Sequence, residues 1–125
     1  MQLYALEGNT CIIAQEALAH KDYRCPECAG IVRARHGPHR RPHFYHMHLS
    51  KFCRQRQKSE EHIQTQLFLK KCLPQEEAAL EKIYPAIGRI ADVAWEREKL
   101  VFEIQCSPIS AEEVKSRTTD YRSLG

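Results

Sequence analysis

Two acidic residues sit where neighbouring strands would place them face to face. Arg89-Ile-Ala-Asp92-Val-Ala-Trp95 and Leu100-Val-Phe-Glu103-Ile-Gln105-Cys-Ser107 both read as strands, and the polar Glu96-Arg-Glu-Lys99 between them reads as a hairpin turn. A turn centred between Arg97 and Glu98 sets Asp92 opposite Glu103, with β-carbons about 5 Å apart on one face. Two like charges so opposed destabilise a hairpin unless a cation lies between them. Hard carboxylate oxygens suit Mg²⁺ or Mn²⁺. Such an ion activates water and neutralises charge on a phosphodiester. Strand alternation puts Gln105 on the same face as Glu103.

A second constellation is built from cysteine and histidine. Cys25-Pro-Glu-Cys28 has the spacing that lets two thiolates share one tetrahedral zinc. His36, His39, His43, His46, His48 and Cys53 follow. Cys25, Cys28, Cys53 and one histidine make a Cys3His set, with His46 the first choice and His43 the alternate. A closed shell of four protein ligands is structural rather than catalytic. No βαβ pattern surrounds the CxxC, so a thioredoxin-like redox role is disfavoured.

The elements that must position these residues fall into two parts, 1–57 and 58–125. Leu3 to Leu6 and Thr10 to Ala14, separated by Gly8-Asn9, read as a strand hairpin, and Ala14 to His20 as a helical turn or two. From Tyr23 to Cys53 only Gly30 to Ala34 reads as a strand. That stretch has too little apolar surface to fold by packing alone, and a bound metal would supply the missing stability. Phe44 reads as the small core beneath the metal site. Ser59 is a good helix cap, with Glu60 and Glu61 in the first turn and Pro74 as the stop. Strands are expected at Ala78–Tyr84, Arg89–Trp95 and Leu100–Cys106, and a second helix from Ser110 to Tyr121. The second part therefore reads α-β-β-β-α. Cys11, Cys72 and Cys106 fall on apolar stretches and read as buried thiols.

The 125 residues suit one ordinary domain or two small ones, and no apolar run is long enough to span a bilayer. No charged-then-apolar leader is visible, so a cytoplasmic, reduced protein is expected, with clustered cysteines as metal ligands rather than disulfides. The net charge of +3 hides an asymmetry: residues 1–20 sum to −2, 21–58 to +8 and 59–125 to −3. The basic block suits a phosphate backbone, with Arg33, Arg35, Arg40, Arg41, Arg54 and Arg56 as contacts and with Tyr45, and Phe44 as the alternative to its core role, available for stacking on unpaired bases.

The order Cys25-Pro-Glu-Cys28, Arg41-Pro-His43-Phe-Tyr-His46, Cys53, Ser59-Glu-Glu-His62, Arg89-Ile-Ala-Asp92, Phe102-Glu103-Ile-Gln105 and Arg117-Thr-Thr-Asp-Tyr121 resembles the competence protein CoiA-like family, across nearly the whole chain. The resemblance implies an α+β protein. A small zinc-ribbon-like N-terminal module would precede a restriction-endonuclease-like PD-(D/E)XK core that here lacks its last strand. It implies a metal-dependent, nuclease-like DNA-processing function tied to competence, with structural zinc and catalytic Mg²⁺ or Mn²⁺. DNA, single-stranded DNA included, is the implied partner. Residue by residue, Asp92 and Glu103 match the metal-binding acids, and Gln105 stands where the superfamily usually has lysine. Glu61 and His62 match helix positions that shape the site. Arg117 and Tyr121 match positions facing the same cleft and join Arg40 and Arg41 as expected nucleic-acid contacts. Glu81 is a further acid on the first strand. A sheet edge left unpaired by the missing strand favours association of copies. A zinc-stabilised DNA-binding protein with an inactive nuclease fold is the alternative.

Overall fold

The computed structural model describes residues 1–48 and 52–125, without the side chains of residues 56 and 57. The expected contact by Arg56 therefore lies outside the described residues. The protein is α+β and packs as two compact units, Met1–Ile63 and Gln64–Gly125.

In the first unit, β1 (Tyr4–Glu7), β2 (Thr10–Ile13), β3 (Tyr23–Arg24), β4 (Ile31–Arg35) and β5 (His43–His46) form one antiparallel sheet in the order β2-β1-β3-β4-β5. The β1–β2 hairpin turns at Gly8, whose φ of +60° suits glycine. A single 3-10 turn, Ala14–Glu16, stands where the sequence suggests a helical turn or two. Between Tyr23 and Cys53 the sequence signals one strand, and the described residues there form three. Tyr23-Arg24 is too short to display a period, and β5 carries histidines where a periodic strand would carry aliphatics. The core is made of small residues: Ala5, Ala14, Ala17, Val32 and Ala34 surround Tyr23 and Phe44. The two rings meet edge to face, 5.4 Å between centroids. Phe44 is fully buried, and Cys25 and Cys53 belong to the same cluster.

Helix α1 (Glu60–Cys72) starts where Ser59 Oγ accepts the His62 amide at 3.2 Å, as its N-cap chemistry demands. In the second unit, β6 (Ala78–Tyr84), β7 (Arg89–Trp95) and β8 (Leu100–Phe102) form an antiparallel sheet in chain order, followed by α2 (Ala111–Arg122). Ser110 caps α2 by accepting the Glu113 amide at 3.1 Å. Both hairpins use four-residue loops, 85–88 and 96–99. Each is a 3-10 turn closed by a left-handed residue, Gly88 at φ +62° and Lys99 at φ +54°. The even loop keeps Trp95 opposite Leu100 and Val93 opposite Phe102. That is the register the sequence implies.

Two expectations are corrected here. The third strand ends at Phe102, not Cys106, because the Ile104 amide donates to Asp92 Oδ2 at 2.8 Å. A side chain thus takes an amide that would otherwise extend the ladder. Cys11, Cys72 and Cys106 are exposed rather than buried. Cys11 lies on the outermost strand of its sheet, Cys72 ends α1, and Cys106 follows the end of β8.

No residue of α2 is buried, so burial alone holds it weakly. Arg89 compensates from β7. It is 8% exposed and donates to Asp120 Oδ2 at 2.8 Å, Glu113 Oε1 at 2.9 Å and Ser116 Oγ at 3.0 Å, all on α2. Arg89→Ala is expected to destabilise the second unit by about 2–4 kcal/mol, because three charge-assisted bonds vanish and their acceptors lose their partner. Denaturant unfolding and faster amide exchange along α2 are the measurements.

Candidate metal centres

Four side chains converge in the first unit. Cys25 and Cys28 flank the turn between β3 and β4, His46 ends β5, and Cys53 follows. Their ligand atoms all lie within 4.8 Å of one another. Cys25 Sγ is 3.6 Å from Cys53 Sγ, and His46 Nε2 is 3.4 Å from the Sγ of both Cys28 and Cys53. A tetrahedral ion with bonds of about 2.0–2.3 Å needs ligand separations of about 3.4–3.8 Å, so the set fits zinc. Burial raises the Cys25 thiol pKa, and a bound zinc ion would favour the thiolate instead. His43 stands outside the group: its ring is buried and its Nδ1 contacts the Arg41 carbonyl at 2.8 Å.

Glu27, inside the CxxC, is a residue that sequence reasoning missed. Its Oε1 accepts from Arg54 Nε at 2.5 Å, and its Oε2 accepts from the Gln55 amide at 3.1 Å and lies 3.6 Å from Cys53 Sγ. It fixes the segment that delivers the fourth ligand. No signal short of the folded loop could have shown this.

The second unit brings together the opposed acids. Asp92 is 3% exposed on β7, and Glu103 follows directly on the pairing of Val93 with Phe102. Their carboxyl groups are within hydrogen-bonding reach. Tyr121 on α2 donates its hydroxyl to Glu103 Oε1. Burial pushes the Glu103 carboxyl up to about 7, with Asp92 adding to the shift while Tyr121 and Arg117 oppose it. Tyr121 is itself raised, first by burial and then by the carboxylate, so it remains a donor. Gln66 on α1, another missed residue, is fully buried and donates to the Asp92 carbonyl at 3.4 Å. Its only sequence signal is a polar residue between Ile63 and Leu67.

Gln105 is exposed and has both ends of its amide engaged. Its Nε2 donates to Ser107, and its Oε1 accepts from Arg117 Nη1 at 3.2 Å. A cavity of about 720 Å³ between β8 and α2 is lined by Glu103, Gln105, Arg117, Tyr121, Lys99 and Leu100 among others. Glu61 is exposed and His62 buried at the start of α1, within the first unit. Glu81, buried on β6, has a left-handed backbone at φ +47°. Arg40 and Arg41 are exposed, and Arg41 lies 3.7 Å from Glu60.

The family profile described as competence protein CoiA, nuclease-like domain, matches residues 58–125, and the one described as competence protein CoiA, N-terminal domain, matches residues 10–55. The chain belongs to the competence protein CoiA family. Asp92, Glu103, Gln105, Arg117 and Tyr121 all lie in the part matched to the nuclease-like domain, and Cys25, Cys28, His46 and Cys53 in the part matched to the N-terminal domain. No curated protein and no solved structure matches the chain. Among the described residues no helix is long and apolar enough to cross a membrane.

The shifted Glu103 makes a pH prediction. Between about 4.5 and about 7 the folded protein keeps a proton that the unfolded chain has lost. The stability owed to this group is thus complete below the lower value and declines as pH rises through the upper one. Zinc-loaded protein without added Mg²⁺ should melt a few degrees lower at about pH 8 than at about pH 5. Glu103→Gln should flatten that slope. Scanning fluorimetry across the window checks it. Glu113, lowered by its bonds from Arg117 and Arg89, acts in the opposite sense but in the more acidic range.

Proposed function

We propose that residues 58–125 act as a metal-dependent DNA nuclease of the PD-(D/E)XK kind, and that residues 1–57 form a zinc-stabilised module that contacts DNA. The observation that carries this reading is the opposed pair of buried Asp92 and half-buried Glu103 in a nuclease-like domain. Two carboxyls in contact, one of them raised toward neutrality, form a site short of positive charge. When bound, Mg²⁺ or Mn²⁺ supplies that charge, acidifies water and screens the phosphate. Asp92 and Glu103 would hold it.

The chain's own residues set the geometry. The Ile104 amide fixes one oxygen of Asp92, and Tyr121 fixes one oxygen of Glu103. Hydrolysis then has water oxygen attack phosphorus, the bond to the leaving sugar oxygen break, and that oxygen take up a proton.

Arg40 and Arg41 in the first unit, and Arg117 and Tyr121 in the second, belong to the proposal as nucleic-acid contacts. So does the outer face of β4 and β5, where Arg35 stacks 4.3 Å from the Tyr45 ring centroid. Glu61 and His62 are carried on the family resemblance alone. Association of copies along the β8 edge and a cytoplasmic location complete the proposal.

A second reading, DNA binding without cleavage, is favoured by one observation: Gln105 stands in the lysine position with its amide already engaged. Incubating the purified chain with labelled single- and double-stranded DNA in Mg²⁺ or Mn²⁺ separates the two. Chelator-sensitive cleavage supports the nuclease. Salt-dependent binding with intact DNA contradicts it and leaves the second reading.

A further inference from the structure

The carboxylate site lacks a cation of its own on β8 or the segment after it, because Gln105 is neutral. A hydrolytic centre that leaves developing phosphate charge unbalanced is poorly built for catalysis. A substitute must be a basic side chain that reaches this place. Lys99 closes the hairpin at the far end of β8, and its Nζ lies toward Gly125. Arg89 is committed to α2 through three bonds. Arg122 also lines the cavity, but it sits in the last turn of α2, beyond Tyr121.

Arg117 is different. It leaves α2 one turn before Tyr121, so both side chains project from the same face toward Glu103 and Gln105. Its Nε donates to Glu113 Oε1 at 2.9 Å and its Nη1 to Gln105 Oε1 at 3.2 Å, and its charge is felt at Glu103. Glu113 is itself held by Arg89, so a chain of bonds from β7 fixes the guanidinium. The side chain is 22% exposed and lines the cavity. A guanidinium has five N–H donors, and these two bonds leave the others for an acceptor there.

We propose that Arg117 supplies, from α2, the positive charge for the reacting phosphate that Gln105 lacks, and that Gln105 serves to hold it in place. The inference rests on the nuclease reading above. It gives Gln105 a definite role, since its carbonyl oxygen is the acceptor that a lysine could not offer. The preferred ligand is a phosphodiester oxygen in the cavity beside Glu103, for which a planar fork is better suited than an ammonium.

The experiment compares wild type, Arg117→Gln, Arg117→Lys and the double variant Arg117→Gln with Gln105→Lys, in single-turnover cleavage of labelled DNA with Mn²⁺. Arg117→Gln should lose about 10²–10³-fold in rate at saturating enzyme. Arg117→Lys should lose less. The double variant should recover at least about tenfold over Arg117→Gln, since the charge is returned to the sheet side. Rescue of rate is a readout that a purely structural role for Arg117 would not produce. Thermal melting identifies any variant that fails to fold, and Arg117→Lys then carries the comparison. An Arg117→Gln variant that cleaves at the wild-type rate, or loses only DNA affinity, overturns the proposal while the nuclease reading stands. Wild type that binds Mn²⁺ and DNA yet never cleaves overturns both.

Discussion

Zinc removal is expected to unfold the first unit while leaving the second folded. The N-terminal core has one phenylalanine and one tyrosine among alanines, a valine and two of the four ligand cysteines. Apolar burial of that size supplies little of the stability a unit of this length requires. The four ligands come from three separate places, the Cys25–Cys28 knuckle, the end of β5 and the segment after it. An ion at their centre cross-links all three. Structural zinc contributes on the order of 10 kcal/mol in small modules near neutral pH, far above the core's own margin. Cys53→Ser should abolish stoichiometric zinc in elemental analysis and expose residues 1–57 to limited proteolysis. Cys11→Ser, at an exposed cysteine outside the ligand group, should change stability by no more than about 0.5 kcal/mol. First-unit signals that persist in zinc-free protein would refute this expectation.

Asp92→Asn is expected to abolish cleavage and raise stability together. The amide keeps the size of the side chain and can still accept the Ile104 amide, so the end of β8 should hold. What disappears, above the pH of about 7 at which Glu103 ionises, is one of two charges facing each other. Without an ion that charged pair destabilises the hairpin, and its removal should raise the melting temperature of Mg²⁺-free protein by a few degrees at about pH 8. With DNA and Mg²⁺ the loss of a ligand oxygen's charge should lower the rate by about 10³-fold or more, the effect of several kcal/mol of transition-state stabilisation. A variant both more stable and inactive is the signature of a site built for a ligand rather than for the fold. A structural role for Asp92 predicts the reverse, a less stable variant.

Much of this arrangement is legible in the sequence, for identifiable reasons. The Asp92–Glu103 opposition follows from an even polar loop between two strands, and the real turn keeps that register although its shape is asymmetric. The cysteine knuckle and His46 are local spacing signals, and the caps Ser59 and Ser110 are local chemistry. What escapes the sequence is longer in range. The strand carrying His43 and His46 has no apolar period because a buried histidine, and His46 of the candidate ligand group, take positions that a periodic strand would give to aliphatics. The third strand looks longer because its alternation continues past Phe102, while the competing acceptor, Asp92 Oδ2, comes from another strand. Glu27, Gln66 and Arg89 matter through partners far along the chain, and no spacing rule points to such pairs.

Everything proposed for the second unit depends on Asp92 and Glu103 forming a divalent-cation site. Calorimetric titration of Mn²⁺ into zinc-loaded wild type, Asp92→Asn and Glu103→Gln reads that site without recourse to cleavage. Wild type should bind one Mn²⁺ beyond the zinc, and each variant should bind it at least about tenfold more weakly. Equal Mn²⁺ binding by wild type and Asp92→Asn, or none by either, would contradict the assignment of these two acids to a metal.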